Sequence, residues 1–246
     1  MKPSIVLFLL AAIALGATGV QAAGPSVPLD RVKVDVSNQA SLQRGARLFA
    51  NYCMGCHSLE YMRYNRVGRD LGLTENQVIE SLIFTTDEDG ELVNPGSLMT
   101  NAMTSTYGDE VFGRGPPDLT LLTRVRSEEW LYTFLRSFYR DASRPLGVNN
   151  TVFENVGMPH ALWELQGWQE KRVDANGAVR LQVVEPGSMS GPEYDRAIRD
   201  LVTFLSYIAE PMQLDRQRIG IYALLFLLVF LALAYLLKKE YWKDVH

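Results

Sequence analysis

The residues best placed to do chemistry stand together at Cys53-Met54-Gly55-Cys56-His57, and these two cysteines are the only ones in the 246-residue chain. The order Cys-x-x-Cys-His has a direct chemical reading. Each thiol adds to one vinyl group of a haem and forms a thioether, and the two-residue spacer sets the thiols at the two vinyls. The adjacent histidine then reaches the iron as its proximal ligand. Two other uses of paired cysteines fit less well. A zinc site needs four ligands and no further cysteine exists. A thioredoxin-like redox pair follows a strand in a βαβ pattern, and no such pattern is visible.

An iron whose task is electron transfer has a second axial ligand on the opposite face. Histidine is scarce, with only three in the chain: His57, His160 and His246. His246 lies at the far end, beyond a candidate membrane span. Met1 falls in a leader, Met54 is inside the attachment loop, and Met62 is too near it to swing to the other face. Met99, Met103, Met158, Met189, Met212 and His160 remain. Met158 has the best frame, because Gly157 before it is permissive and Pro159 after it is rigid. Spacing alone leaves Met99, Met103 and His160 open as rivals.

These groups need elements to carry them. The composition, 47% hydrophobic and 21% charged, is that of a folded protein, and the net charge of −4 argues against a nucleic-acid partner. Residues 1–22 read as a secretory signal peptide: Lys2, an apolar stretch, then small residues before the cleavage region. Residues 219–237 carry no charge and are long enough for a ~30 Å hydrocarbon core. Tyr222 and Tyr235 sit near the ends of this run. The expected domains are therefore a signal peptide at 1–22, an exported haem domain at 23–215, and an anchor with a short cytoplasmic tail at 216–246. The expected location is a bacterial inner (cell) membrane, crossed once, with the haem domain in the periplasm.

Within the exported part, 24–39 reads as an extended lead-in and 41–52 as a helix. Thr74 to Gln77 is a capping box that opens a second helix through Ile83. Asp87 to Gly90 is a turn, and 94–117 is expected to be mostly loop. Ser127 caps a helix running to about Tyr139, with Glu128 and Glu129 in its first turn. Residues 173–184 suggest a β-hairpin turning at Asn176-Gly177. Ser190 to Glu193 is another capping box, and Leu201, Phe204, Leu205 and Ile208 form one apolar stripe on the helix that Pro211 ends. Long loops count against a compact fold unless a buried macrocycle supplies core for them to pack on.

The run from Cys53 to Tyr64, Cys-Met-Gly-Cys-His-Ser-Leu-Glu-Tyr-Met-Arg-Tyr, resembles the haem-binding segment of the cytochrome c1 family. Four further features agree in order. Gly45 to Phe49 is similar to the Gly-x-x-x-aromatic helix ahead of the haem in class I cytochromes. Pro116-Pro117-Asp118-Leu119-Thr120 with Arg124 resembles a family segment, Gly157-Met158-Pro159 falls where the axial methionine lies, and Glu210-Pro211, Arg216, Arg218 and one span resemble the C-terminal anchor. The stretch 101–115 does not match the family pattern.

The resemblance implies a mainly α, class I cytochrome c-like haem domain with long loops and a small β-hairpin, plus one C-terminal transmembrane helix. It implies one haem c, covalent through Cys53 and Cys56, with His57 and Met158 as the iron's ligands. Arg124, with Arg126 as a rival, would pair with a haem propionate by its planar fork. A carbonyl near Pro117 would take the free N–H of His57. The Gly45 and Phe204 faces would form the crossing of the first and last helices. The implied role is a relay, not an enzyme by itself. Single electrons pass from a Rieske iron–sulfur subunit to a soluble or membrane-bound cytochrome c, beside a cytochrome b subunit, in a respiratory quinol–cytochrome c oxidoreductase (cytochrome bc1 complex). Acidic clusters at Asp87-Glu88-Asp89-Glu91, Asp109-Glu110 and Glu128-Glu129 could speed encounter with a basic cytochrome c. The alternatives are an anchored cytochrome c feeding a terminal oxidase and a haem enzyme with an open iron.

Overall fold

The computed structural model describes residues 27–87 and 89–244. The leader expected at 1–22, residues 24–26 of the lead-in, Glu88 of the acidic turn and His246 of the tail lie outside the described residues. Helix α1 (Gln39–Leu48) opens on Asn38, whose side-chain oxygen accepts from the Ser41 N–H, and runs into a wide π turn at Phe49–Cys53. Strand β1 (Leu59–Arg63), α2 (Tyr64–Asp70) and α3 (Glu75–Leu82) follow. The expected capping box of α3 is present, with Thr74 and Gln77 exchanging bonds. Then come β2 (Leu98–Met99), α4 (Ser105–Phe112), α5 (Leu122–Val125), α6 (Glu128–Arg136), β3 (Phe138–Arg140) and β4 (Val148–Asn150). The chain closes with α7 (Trp163–Gln166), β5 (Gly167–Val173), β6 (Val179–Pro186), α8 (Gly191–Ala209) and α9 (Gln213–Tyr241). Among the described residues the strands form three two-stranded antiparallel sheets: β1 with β2, β3 with β4, and β5 with β6.

The core is built where α1 crosses α8. A Cβ on Gly45 would stand 2.2 Å from the Asp200 carbonyl oxygen and 2.6 Å from Phe204 Cβ, so only glycine lets the backbones come this close. The expected stripe of Leu201, Phe204, Leu205 and Ile208 is fully buried. Phe49 and Phe204 meet with ring centroids 5.8 Å apart. A polar latch closes the same crossing. Ser41 Oγ donates to Asp200 Oδ1 at 2.5 Å, and Arg44 grips the same carboxylate through Nε at 2.6 Å and Nη2 at 3.2 Å. Asp200 is buried, and these donors replace the water it gave up. The Ser190–Glu193 capping box starts α8.

Three local expectations need correction. The stretch 94–117 is not mostly loop, because it holds β2 and the eight-residue α4. Thr104 caps α4 by accepting the Tyr107 N–H at 3.2 Å, and Gly113 closes it in the left-handed conformation, φ 74°. Helix α6 stops at Arg136 rather than Tyr139, because Phe138 to Arg140 pair with Asn150 to Val148. The long hairpin begins at Gly167, not Val173, so the expected 173–184 covers its turn and most of its second strand. Its turn does lie at Asn176-Gly177, with the Gly177 N–H reaching the Asp174 carbonyl at 2.9 Å.

Beyond the domain, α9 is 29 residues long and fully exposed along its apolar length. It is the one helix among the described residues long and apolar enough to cross a membrane.

Candidate haem site

The π turn carries Cys53 inward from the end of α1. Its residues close on themselves, with Met54 N–H to Phe49 O at 3.0 Å and His57 N–H to Cys53 O at 2.9 Å. Cys53 is buried, and Cys56, one turn on, is partly exposed. Burial pushes the Cys53 thiol up to about 12, with the nearby Cys56 adding to it, and burial also raises Cys56. Both are therefore neutral thiols at ordinary pH. Among the described residues no group of three or more His, Cys, Asp or Glu side chains is placed to hold a metal ion by itself.

His57 is buried, and its Nδ1–H donates to the Pro117 carbonyl at 2.7 Å. Burial lowers its pKa, against the opposing pull of that carbonyl and of Asp118. A neutral ring that donates from Nδ1 keeps its lone pair on Nε2, the state an axial ligand requires. The donor set thus fits a haem iron. The carbonyl is held in place by its own segment. Asp118 Oδ2 accepts the Glu60 N–H at 2.7 Å, Asp118 Oδ1 accepts the Thr120 N–H at 2.9 Å, and the Leu119 N–H reaches the Ser58 carbonyl at 3.0 Å. Pro116 and Pro117 lack N–H donors, which keeps their segment out of a helix and leaves its carbonyl free for the ring.

The rival ligands occupy distinct places. Met99 is buried in β2, opposite Leu59. Met103 follows Asn101, whose N–H is bound to Ser58 Oγ at 3.0 Å and whose side chain takes the Met103 N–H at 3.0 Å. Both methionines are therefore tied to the residues just after His57. Met212 is exposed beside Arg66 at the base of the domain. Met189 is half-buried and follows β6. His160 is packed flat on Phe138, centroids 5.1 Å apart, and edge-on to Trp168. Burial drives its pKa down to about 4, and its Nε2 has no hydrogen-bond partner. Met158 comes in on a separate, half-buried loop.

That loop is shaped by two asparagines that sequence reasoning did not single out. Asn149 Oδ1 accepts the Asn155 N–H at 2.9 Å, and Asn150 Oδ1 accepts the Val152 N–H at 2.9 Å. Asn155 itself sits at φ 60°, the one non-glycine residue at positive φ among those described. The paired Asn-Asn at a strand end was the available signal, since asparagine bonds local backbone in this way. The expected propionate partner, Arg124, is bound to Glu210 at 2.6 Å, whereas Arg126 lies over the Trp130 ring at 5.0 Å.

A histidine poised this way beside two thioether-forming cysteines, on a helical domain followed by one membrane-length helix, is the build of a membrane-anchored c-type cytochrome. The Cytochrome C1 family model matches residues 32–245. Cytochrome c1 of Allochromatium vinosum is 49% identical over 98% of this chain and 99% of its own length. The ammonia monooxygenase gamma subunit of Nitrosomonas europaea is 43% identical over 98% of this chain and 99% of its own, and cytochrome c1 of Rhodospirillum rubrum is 27% identical over 85% and 83%. The chain belongs to the cytochrome c1 family. As in that family, the cofactor is a covalent haem c, and the chain is an electron-transfer subunit rather than an enzyme by itself.

Proposed function

We propose that this chain relays single electrons from a Rieske iron–sulfur subunit to a cytochrome c, within a quinol–cytochrome c oxidoreductase that also holds a cytochrome b. The observation that carries this reading is a near full-length likeness to cytochrome c1, combined with a His57 ring oriented by Pro117. Bound through Cys53 and Cys56, haem c supplies reversible one-electron chemistry. His57 and Met158 would hold its iron, and a histidine–methionine pair would exclude water and small ligands and raise the potential relative to a bis-histidine pair. Pro117 fixes the tautomer and direction of the His57 ring. The leader at 1–22 exports a haem domain spanning 23–215 into the periplasm of a bacterial cell, and 216–246 anchors it with the tail in the cytoplasm. Arg124 stands as the propionate partner only if it exchanges its Glu210 contact, so Arg126 shares that assignment.

The ligand reading is tested by Met158→Leu in the purified holo-protein. The thioether-to-iron band of the oxidised form should vanish, the potential should fall, and the reduced form should bind carbon monoxide. His160→Phe should leave all three unchanged. A band that survives Met158→Leu refutes the assignment. The partner reading is tested by purifying the intact complex and identifying what co-elutes. A second reading has the same chemistry with different neighbours. The Nitrosomonas europaea relative bears a monooxygenase subunit's name, so co-elution with such an assembly instead of cytochrome b would favour it.

A further inference from the structure

Helix α4 has no counterpart among the sequence expectations, and it touches both the segment that orients His57 and the loop that carries Met158. One flank touches the Pro116-Pro117 segment that holds His57. A Cβ on Gly108 would stand 2.7 Å from Pro116 Cδ and 3.0 Å from Gly115 Cα. Asp109, also on α4, tightens this side by accepting the Gly115 N–H at 2.6 Å. The other end touches the Met158 loop. A Cβ on Gly157 would stand 2.8 Å from the Phe112 carbonyl oxygen, the last carbonyl of α4. The helix therefore meets backbone or proline ring at both points, with no flexible side chain to absorb a change.

We propose that α4 is a strut that sets the spacing between the His57 and Met158 segments, with Gly108 and Gly157 as its bearing points and as positioning residues for the iron–thioether bond. This rests on the reading of Met158 as the ligand. A methyl group at either point pushes the Met158 loop away from the His57 side, because neither neighbouring backbone can yield without moving the segment it belongs to. The methionine is the softer of the two ligands and gives way first, since His57 follows directly on the two cysteines that would tie the haem to its segment.

The test compares detergent-solubilised full-length holo-protein with wild type, Gly108→Ala, Gly157→Ala, Gly113→Ala and Met158→Leu. Gly108→Ala and Gly157→Ala should keep their covalent haem but lose most of the thioether-to-iron band, lower the potential and gain carbon monoxide binding. Adding Pro116→Ala to Gly108→Ala removes the clashing Cδ and should return much of the band. Gly113 has open space around it, so Gly113→Ala strains the end of α4 without pushing on either segment, and the band should remain. Met158→Leu abolishing the band while both bearing-point variants keep it overturns the strut alone. A band that persists in Met158→Leu overturns the ligand reading beneath it. Loss of the band in Gly113→Ala would reduce the effect to helix stability and also overturns the strut. Should Gly108→Ala yield no holo-protein, Gly157→Ala decides the matter by the same readouts.

Discussion

Asn150 is completely buried, yet its polar atoms are satisfied: Nδ2 donates to the Phe134 carbonyl at 2.8 Å, and Oδ1 accepts from Val152 and, at 3.3 Å, from Phe153. It ties α6 to the start of the loop that ends at Met158. Asn150→Ala leaves a buried carbonyl and two loop N–H groups without partners, at a cost of about 1–3 kcal/mol for each group that water cannot reach. The denaturant midpoint of the full-length holo-protein should fall accordingly, and the Met158 band should weaken well below that midpoint as the loop slackens. An unchanged midpoint would show that water replaces the side chain. Residue-scale chemistry was the part most legible in the sequence. Cys-x-x-Cys-His names its own cofactor because few other tasks use that spacing. The carbonyl that orients His57 was reached only through the Pro-Pro-Asp-Leu resemblance, because a backbone acceptor from 60 positions away leaves no mark in side-chain types.

At the level of elements, Gly45 decides how closely α1 and α8 approach. Gly45→Ala places a methyl group against the Asp200 carbonyl, and overpacking of this kind costs about 1–3 kcal/mol. Thermal unfolding of the holo-protein should move to lower temperature while the spectrum of the folded fraction stays the same, since no ligand segment is touched. A spectral change would mean that the crossing also holds the haem pocket in register. The capping boxes at Thr74 and Ser190 and the apolar stripe of α8 were legible because each is a local rule about neighbours three or four apart. Helix α4 was not. Gly108, Gly113 and Pro116 read as loop residues, whereas here Gly108 is a contact surface, Gly113 a helix stop and Pro116 the neighbour they serve. Asp109 looks like part of a docking cluster, and its carboxylate also secures Gly115.

For the whole molecule, Glu210 is the joint. It lies between α8 and α9 and accepts from Arg124 of α5 and from Arg216 of α9. Hydrogen bonds from Arg216 first, and then the charges and bond of Arg124, hold its carboxyl below the usual range despite some desolvation. With the folded pKa depressed, the joint is intact at neutral pH and releases only as acid carries the pH down through that lowered value. Exposed pairs of this kind add little to stability. Their effect is on direction: they link the domain to a helix that at ~1.5 Å per residue is about 43 Å long, longer than a ~30 Å bilayer core. Glu210→Gln should therefore leave the spectrum, the potential and the melting temperature nearly unchanged. Reduction through the upstream partner in the assembled complex should slow, while reduction by a small soluble reductant should not. Equal rates by both routes would show that the joint plays no part in orientation.

The crossing of α1 with α8 also has a consequence in time. Ser41 and Asp200, which latch that crossing, are 159 residues apart. At about 5–20 residues per second, the second partner leaves the ribosome on the order of ten seconds after the first. Throughout that delay Cys53, which the finished domain buries, is still on an open stretch of chain. Helix α9 follows α8 almost at once. Covalent loading of Cys53 is therefore easiest before α8 closes on α1, so the order in which these two helices become available bears on how much of the protein is made complete.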